Sequence, residues 1–152
     1  MDWRYIFLSF NGRITRRQFW FGAANIALIE LMILSLAASS GQIDLSAGQA
    51  PLWFRNLSLG IDSVMAWPLA AVFAKRLQDR NHPPVFAWYA VALLIFYSVL
   101  EAFGLLQTGK EATAASYLVG LPLLAIFSVL LFELGVRRGT EGPNFYGADP
   151  LQ

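Results

Sequence analysis

Four long apolar runs, Phe19 to Ala38, Leu57 to Ala74, Val85 to Leu106 and Ser116 to Val136, constrain this chain more than any other feature. An α-helix rises about 1.5 Å per residue, so about 20 residues cross a hydrocarbon core roughly 30 Å thick. Each run is close to that length. Barrel strands alternate apolar and polar residues, whereas these runs are apolar on every side. Of the 152 residues 57% are hydrophobic and 14% charged, against roughly 25% charged in a soluble domain. A water-soluble fold of this size could not hide so much apolar surface, so lipid must cover part of it. The expected fold class is all-α: a four-helix transmembrane bundle forming a single membrane domain over 1–152, with spans at 17–39, 57–77, 85–107 and 115–137.

The basic residues set the expected orientation. Arg4, Arg13, Arg16 and Arg17 precede the first span; Lys75, Arg76 and Arg80 fall between the second and third; Arg137 and Arg138 follow the fourth. Only Arg55 and Lys110 remain for the other two loops. Cytoplasmic loops are the basic ones, so the expectation is N-in and C-in. Aromatic rings favour the headgroup level, and Trp20, Trp88 and Tyr89 fall near inner span ends, Trp53 and Tyr117 near outer ones. Only Trp67 lies mid-span. The first run is preceded by polar and aromatic residues and exceeds the roughly 7–15 apolar residues of a signal peptide, so it reads as a retained anchor.

The start, 2–10, is amphipathic: Trp3, Ile6, Phe7 and Phe10 share a helical face, as in a short interfacial helix on the inner leaflet. Asn11-Gly12 then breaks the pattern, and Thr15 and Gln18 have capping-box spacing. The Ser/Gly/Gln-rich loop from Ser39 to Ala50 is expected to be mobile. The Gly- and Pro-containing tail, 139–152, is expected to be non-helical and cytoplasmic. The sequence shows no internal repeat of the kind that marks inverted-repeat transporters.

Four acids fall within the spans: Glu30, Asp62, Glu101 and Glu133. A charge at mid-bilayer costs about 2.5–3.5 kcal/mol, while each Leu, Ile, Phe or Val returns about 0.3–0.6. The third span has twelve such residues and absorbs Glu101; the second has seven and is roughly neutral with Asp62. Ser58, Asp62, Ala66, Ala70 and Ala74 recur every four residues, a stripe of small side chains along which helices approach closely. Glu133 lies one turn before Arg137 and suits an i,i+4 pair. Two readings of Glu30, Asp62 and Glu101 stay open. They form a protonatable or cation-binding site inside the bundle, or they hold helices together through Tyr97, Ser58 or Asn25. With Arg55 assigned to a loop, no basic residue enters the outer half.

A second constellation is Arg13, Arg16, Lys75, Arg76, Asp79, Arg80, Arg137 and Arg138 on the cytoplasmic side. Arg13, Arg16 and Trp20 have the i, i+3, i+7 spacing of one helical face. Guanidinium groups match phosphate geometry, so an anionic headgroup or phosphate-bearing ligand fits; the positive-inside rule alone also accounts for the charges. Asp79 is expected to pair with Arg76 or Arg80 and to order the turn at His82-Pro83-Pro84. The chain has no Cys and one His, His82, which excludes disulfides, thiolate chemistry and multi-histidine metal centres. No phosphate-cradling glycine loop, metal-spaced His-Glu pair or Gly-x-Ser-x-Gly is present. No catalytic residue, cofactor, metal or nucleic-acid partner is therefore expected.

Three patches resemble a known group. They are Phe10 to Trp20 (FNGRITRRQFW), Ala74 to Asp79 (AKRLQD) and Gly139 to Pro150 (GTEGPNFYGADP). They are similar to F-x-G-R-x-x-R-x-x-F/Y-W, K-R-L-H-D and G-x-x-G-x-N-x-Y-G of the small bacterial inner-membrane proteins called domain of unknown function 805. The likeness runs nearly end to end, and the last patch is the most specific. Gln78 stands where His is common, and Asn81 to Val85 lacks the usual Gly-Trp. The resemblance implies a helical bundle in the bacterial inner membrane and implies no activity. Because all three patches fall on the basic side, the tail is expected to fold back, with Asn144 and Tyr146 near Arg13, Arg16, Lys75 and Asp79, and with Gly142 and Gly147 supplying the turns.

The leading expectation is a non-enzymatic multi-pass protein that binds a protein partner or anionic membrane lipid through its cytoplasmic face, using Arg13, Arg16, Lys75, Arg76, Asp79, Asn144 and Tyr146. The alternative is a small transporter or channel for an ion, proton or small solute, using Glu30, Asp62 and Glu101. A membrane enzyme is third. A second copy of the chain or another membrane protein is compatible with the first two.

Overall fold

A computed structural model describes residues 2–39, 50–106 and 112–151. The loop read as mobile, Lys110 and the end of the third span at 107 lie largely or wholly outside the described residues. Five α-helices follow in order: α1 Trp3–Leu8, α2 Arg16–Ala38, α3 Leu52–Asp79, α4 Val85–Ala102 and α5 Ala114–Leu131, the last continued by a π-helical turn, Phe132–Val136. No strand occurs among the described residues. The four long helices are each long and apolar enough to cross a membrane. Leu31, Leu36, Val64, Leu118 and Leu124 are all more than half exposed. So much exposed aliphatic surface exceeds what a monomer keeps in water; lipid is its natural cover.

Local signals explain where the helices begin and stop. Thr15 and Gln18 form the capping box in full at the start of α2. Asp2 caps α1 through the backbone N–H groups of Arg4 and Tyr5. At the end of α3, Asn81 adopts φ 58°, and the N–H groups of Asn81 and His82 donate to the carbonyls of Gln78 and Leu77 at 3.0 and 2.9 Å. That is a Schellman arrangement, and asparagine is among the few residues that tolerate its left-handed position.

α3 is the central element, packed against α4, α2 and α1. Every residue from Ala70 to Asp79 is buried, so its last three turns form the core. Gly22 of α2 lets that helix close on Val72, whose Cγ2 would lie 2.9 Å from an added Cβ. α1 crosses α3 and α2 with Ile6 buried and Trp3 stacked on Phe7. Phe10, beyond the helix end, inserts against Trp67 and Trp88 with centroids 4.9 and 5.3 Å away. The mid-span Trp67 thus anchors the N-terminal segment. α5, by contrast, has no buried residue; it joins the bundle mainly through its π turn.

Candidate functional site at the basic end

The π turn shows what three of the basic residues, Arg16, Arg76 and Arg80, are for. A helix C-terminus leaves carbonyls without intrahelical donors and carries partial negative charge. Here the carbonyls of five consecutive residues, 133 to 137, each accept a side-chain donor from another helix or its terminal turn. Arg80 Nη1 donates to Glu133 at 2.7 Å, Arg76 Nε to Leu134 at 2.5 Å and Trp20 Nε1 to Gly135 at 3.1 Å. Arg16 Nη1 donates to Val136 at 3.0 Å, and Arg76 Nη2 to Arg137 at 2.6 Å. Gly135 is required because an added Cβ would lie 2.7 Å from Cε2 of Trp20.

Asp79 ties this cap to the tail. Its carboxylate accepts from Arg13 Nε at 3.0 Å and from Arg76 Nη1, and its backbone carbonyl accepts both the N–H and the hydroxyl of Thr140 at 2.9 Å. The Arg13 guanidinium then reaches the carbonyls of Thr140, Gly142 and Gly147 at 2.6, 2.7 and 3.3 Å. Asn144 Nδ2 donates to Gln78 O and Thr140 Oγ1, both at 2.9 Å. Gly142 and Gly147 hold φ of 75° and 134° at the turns, where a side chain would be strained. The tail therefore folds back on α3. Tyr146 contributes its backbone N–H, which donates to Asn144 Oδ1 at 2.9 Å. Asp149 accepts N–H bonds from Leu151 and Gly142, which with the nearby Arg13 hold its carboxyl below the ordinary value.

Lys75 is fully buried and caps α1. Its Nζ donates to the carbonyls of Tyr5, Ile6 and Ser9 at 2.5, 2.6 and 2.6 Å and lies 5.1 Å from the Tyr5 ring centroid. The Tyr5 hydroxyl donates to Arg13 O at 2.9 Å, yet burial outweighs neighbouring polar contacts and pushes the phenol above its ordinary value. Gln78 Nε2 donates to Phe10 O at 2.8 Å.

Several readings change at this point. Arg13 does not share a helical face with Arg16 and Trp20, because Thr15 caps α2 after it. Asp79 pairs with Arg76 and Arg13, whereas Arg80 pairs with Glu133, whose other oxygen takes Arg137 at 3.0 Å. Arg13, Lys75 and Arg76 are buried and saturated by backbone and Asp79, so they present no free donors to a ligand. What remains is a cleft of about 740 Å³ between the start of α2, the π turn and the tail. Arg16, Arg17, Trp20, Arg138, Glu141 and Asp149 line it, with the Arg76–Asp79 pair also on its wall. Arg17 and Arg138 are exposed and make no hydrogen bond or ion pair among the described residues. Neither is legible as special from sequence, since only the folded cap distinguishes spent cations from free ones.

The intramembrane acids gather near the other end of α3. Ser98 Oγ donates to Asp62 Oδ2 at 2.6 Å. Glu30, Asp62 and Ser98 line a cavity of about 140 Å³, and Ser98 also borders one of about 50 Å³ with Arg55, Ser58 and Glu101. The partner of Asp62 is thus Ser98; Asn25 instead bonds its own helix at Phe21 O, 2.7 Å away. Arg55 is not a loop residue: α3 begins at Leu52, ahead of 57, which places Arg55 in its first turn with Nη1 3.4 Å from Glu101 O. Its Nε is buried without a partner.

The family described as protein of unknown function (DUF805) matches residues 7–148. Proteins called "Uncharacterized protein YiiR" from Escherichia coli strains K12 and O157:H7 are each 30% identical over 141 residues, covering 93% of this chain and 85% of theirs. No solved structure matches. The three patches of sequence that meet in the capped basic end all fall within or at the edge of the matched region, and the chain belongs to the DUF805 family.

Proposed function

We propose that this protein is a non-enzymatic, multi-pass protein of the bacterial inner membrane, with both termini cytoplasmic, that binds an anionic phosphate-bearing headgroup in the cleft beside the tail. The observation that carries this reading is the pair Arg17 and Arg138, unpaired over a 740 Å³ cleft at the end where Arg13, Arg16, Lys75, Arg76 and Arg80 hold backbone carbonyls. Guanidinium groups take phosphate oxygens in bidentate fashion, and four arginines on the wall, Arg16, Arg17, Arg76 and Arg138, oppose three carboxylates, Asp79, Glu141 and Asp149. Trp20 on the same wall suits the headgroup level of a bilayer.

The test compares retention of phosphatidylglycerol, phosphatidylcholine and inorganic phosphate by the purified protein and by an Arg17→Gln/Arg138→Gln variant. Each arginine contributes about 1 kcal/mol at an anionic surface, so in the double variant phosphatidylglycerol binding at the cleft is expected to weaken about tenfold or more, read as the loss of one retained lipid. Unchanged preference overturns the proposal, as does selective retention of free phosphate with no lipid preference. A reporter fused after the last residue and found in the periplasm overturns the orientation.

A second reading, a small transporter or channel, is favoured by the two cavities that meet at Ser98 between Glu30, Asp62, Glu101 and Arg55. Flux in proteoliposomes that disappears in Asp62→Asn and survives Arg17→Gln would select it.

A further inference from the structure

A second cavity, sharing no lining residue with the cleft, opens between α4 and α5 and measures about 650 Å³. Phe86, Tyr89, Ala90 and Leu93 lie on its α4 side at i, i+3, i+4 and i+7; Ile126 and Leu130 lie on its α5 side one turn apart. Its charged groups, Arg80 and Glu133, and its histidine, His82, all belong to the basic end. From Phe86 to Leu93 the slot runs about 10 Å along α4, about two-thirds of one bilayer leaflet. Its charge is unbalanced at the mouth: the single carboxylate of Glu133 pairs with Arg80 on the lining and, 3.0 Å away, with Arg137 just outside it. One guanidinium charge is left over, at headgroup level, above a slot that is apolar below.

We propose that this slot is a lateral lipid site that holds one acyl chain of an anionic phospholipid, with the phosphate against Arg80 and Arg137. A transmembrane helix is a poorer occupant. A cylinder about 10 Å across needs roughly 800 Å³ over the same depth, more than the slot offers. The site needs only that the bundle sits in a bilayer, and it is independent of the cleft beside the tail.

The experiment purifies the protein from mixed phosphatidylglycerol and phosphatidylcholine micelles and counts retained lipids by native mass spectrometry. The unmodified chain is expected to keep phosphatidylglycerol in preference to phosphatidylcholine. In the Arg17→Gln/Arg138→Gln background, where the cleft no longer contributes, Ala125→Trp, which fills the slot, is expected to lower that retention about tenfold, whereas Leu118→Trp, on the exposed face of α5, leaves it unchanged. Arg137→Gln keeps the chain in the slot and reduces the headgroup preference about fivefold. The Arg17→Gln/Arg138→Gln variant loses the cleft's lipid and keeps the slot's, so its remaining phosphatidylglycerol still crosslinks to residues 86–93, which separates the slot from the cleft. A photoactivatable acyl chain on phosphatidylglycerol supplies a readout on the unmodified protein, with crosslinks expected on residues 86–93 and 125–130. Equal retention of the two lipids, full retention by Ala125→Trp, or crosslinks spread evenly along α2 and α5 would each overturn the proposal.

Discussion

The two ends of α3 bring charge to the bundle under opposite rules. At its last turn Lys75, Arg76 and Asp79 are almost wholly buried, and their charged side chains are saturated: the two cations hold six backbone carbonyls and Asp79 holds two guanidinium groups. Near its first turns, Arg55 keeps a buried Nε without a partner, Asp62 has one hydroxyl, and no hydrogen bond reaches the carboxyls of Glu30 and Glu101 among the described residues. Buried charges are tolerated when each is paired and hydrogen-bonded. The buried charges of the basic end meet that condition, and they are spent on fold. The far end does not, and its groups remain available.

The sharpest way to break this contrast is to neutralise one acid at each end. Asp79→Asn removes the countercharge of Arg13 and Arg76 at once. Breaking a buried pair from one side costs about 3–5 kcal/mol, so thermal unfolding in detergent should move sharply downward and the tail should become cleavable. Asp62→Asn loses at most one bond of a kind worth about 0.6 kcal/mol inside membrane proteins, and its melt should barely shift. Equal destabilisation by both variants would erase the distinction between the ends.

Lys75→Met comes next in size. Its side chain fits the same channel but cannot donate, which strands the carbonyls of Tyr5, Ile6 and Ser9. An unmet buried acceptor costs about 1–3 kcal/mol, and α1 is the element that can move to recover water. Faster hydrogen exchange across Trp3–Leu8, with α2 to α4 unchanged, is the expected signature. Exchange that stays slow would show that Ile6 and the Phe10–Trp67–Trp88 contacts alone hold α1.

Much of this was legible in the residues. Length and uniform apolarity of four runs give four spanning helices, Thr15 and Gln18 give the start of α2, and the spacing of Glu133 and Arg137 gives their pair. The meeting of tail and α3 follows from motif resemblance placed on a topology. What stayed hidden depends on three-dimensional closure. Arg55 looks like a loop residue because a charge next to Trp53 marks a span boundary, and nothing local says that α3 starts at Leu52. The π turn has no sequence signature: FELGV reads as ordinary helix, and its open carbonyls become visible only when Arg16, Trp20, Arg76 and Arg80 converge on them. Sequence likewise counts cations without saying which are consumed, so Arg13, Lys75 and Arg76 look as available as Arg17 and Arg138.

The smallest effect concerns how many bonds hold the tail down. Asp149 accepts N–H bonds from Gly142 and Leu151, and its carboxyl is held below the ordinary value of 3.8. A depressed carboxyl pKa in the folded state contributes stability that is present above the unfolded value and lost as pH falls through the folded one. Tail cleavage by an acid-stable protease should therefore rise as the pH falls below about 4 in the unmodified chain. In Asp149→Asn it should already be raised at neutral pH, and the acid-induced increment should shrink, since both proteins share every other acid. The rise should be modest in both cases, because Arg13, Thr140 and Asn144 still fasten the tail to α3. Complete release of the tail by Asp149→Asn would mean that the buried network around Asp79 contributes little, and that the basic end is as loosely held as the far one.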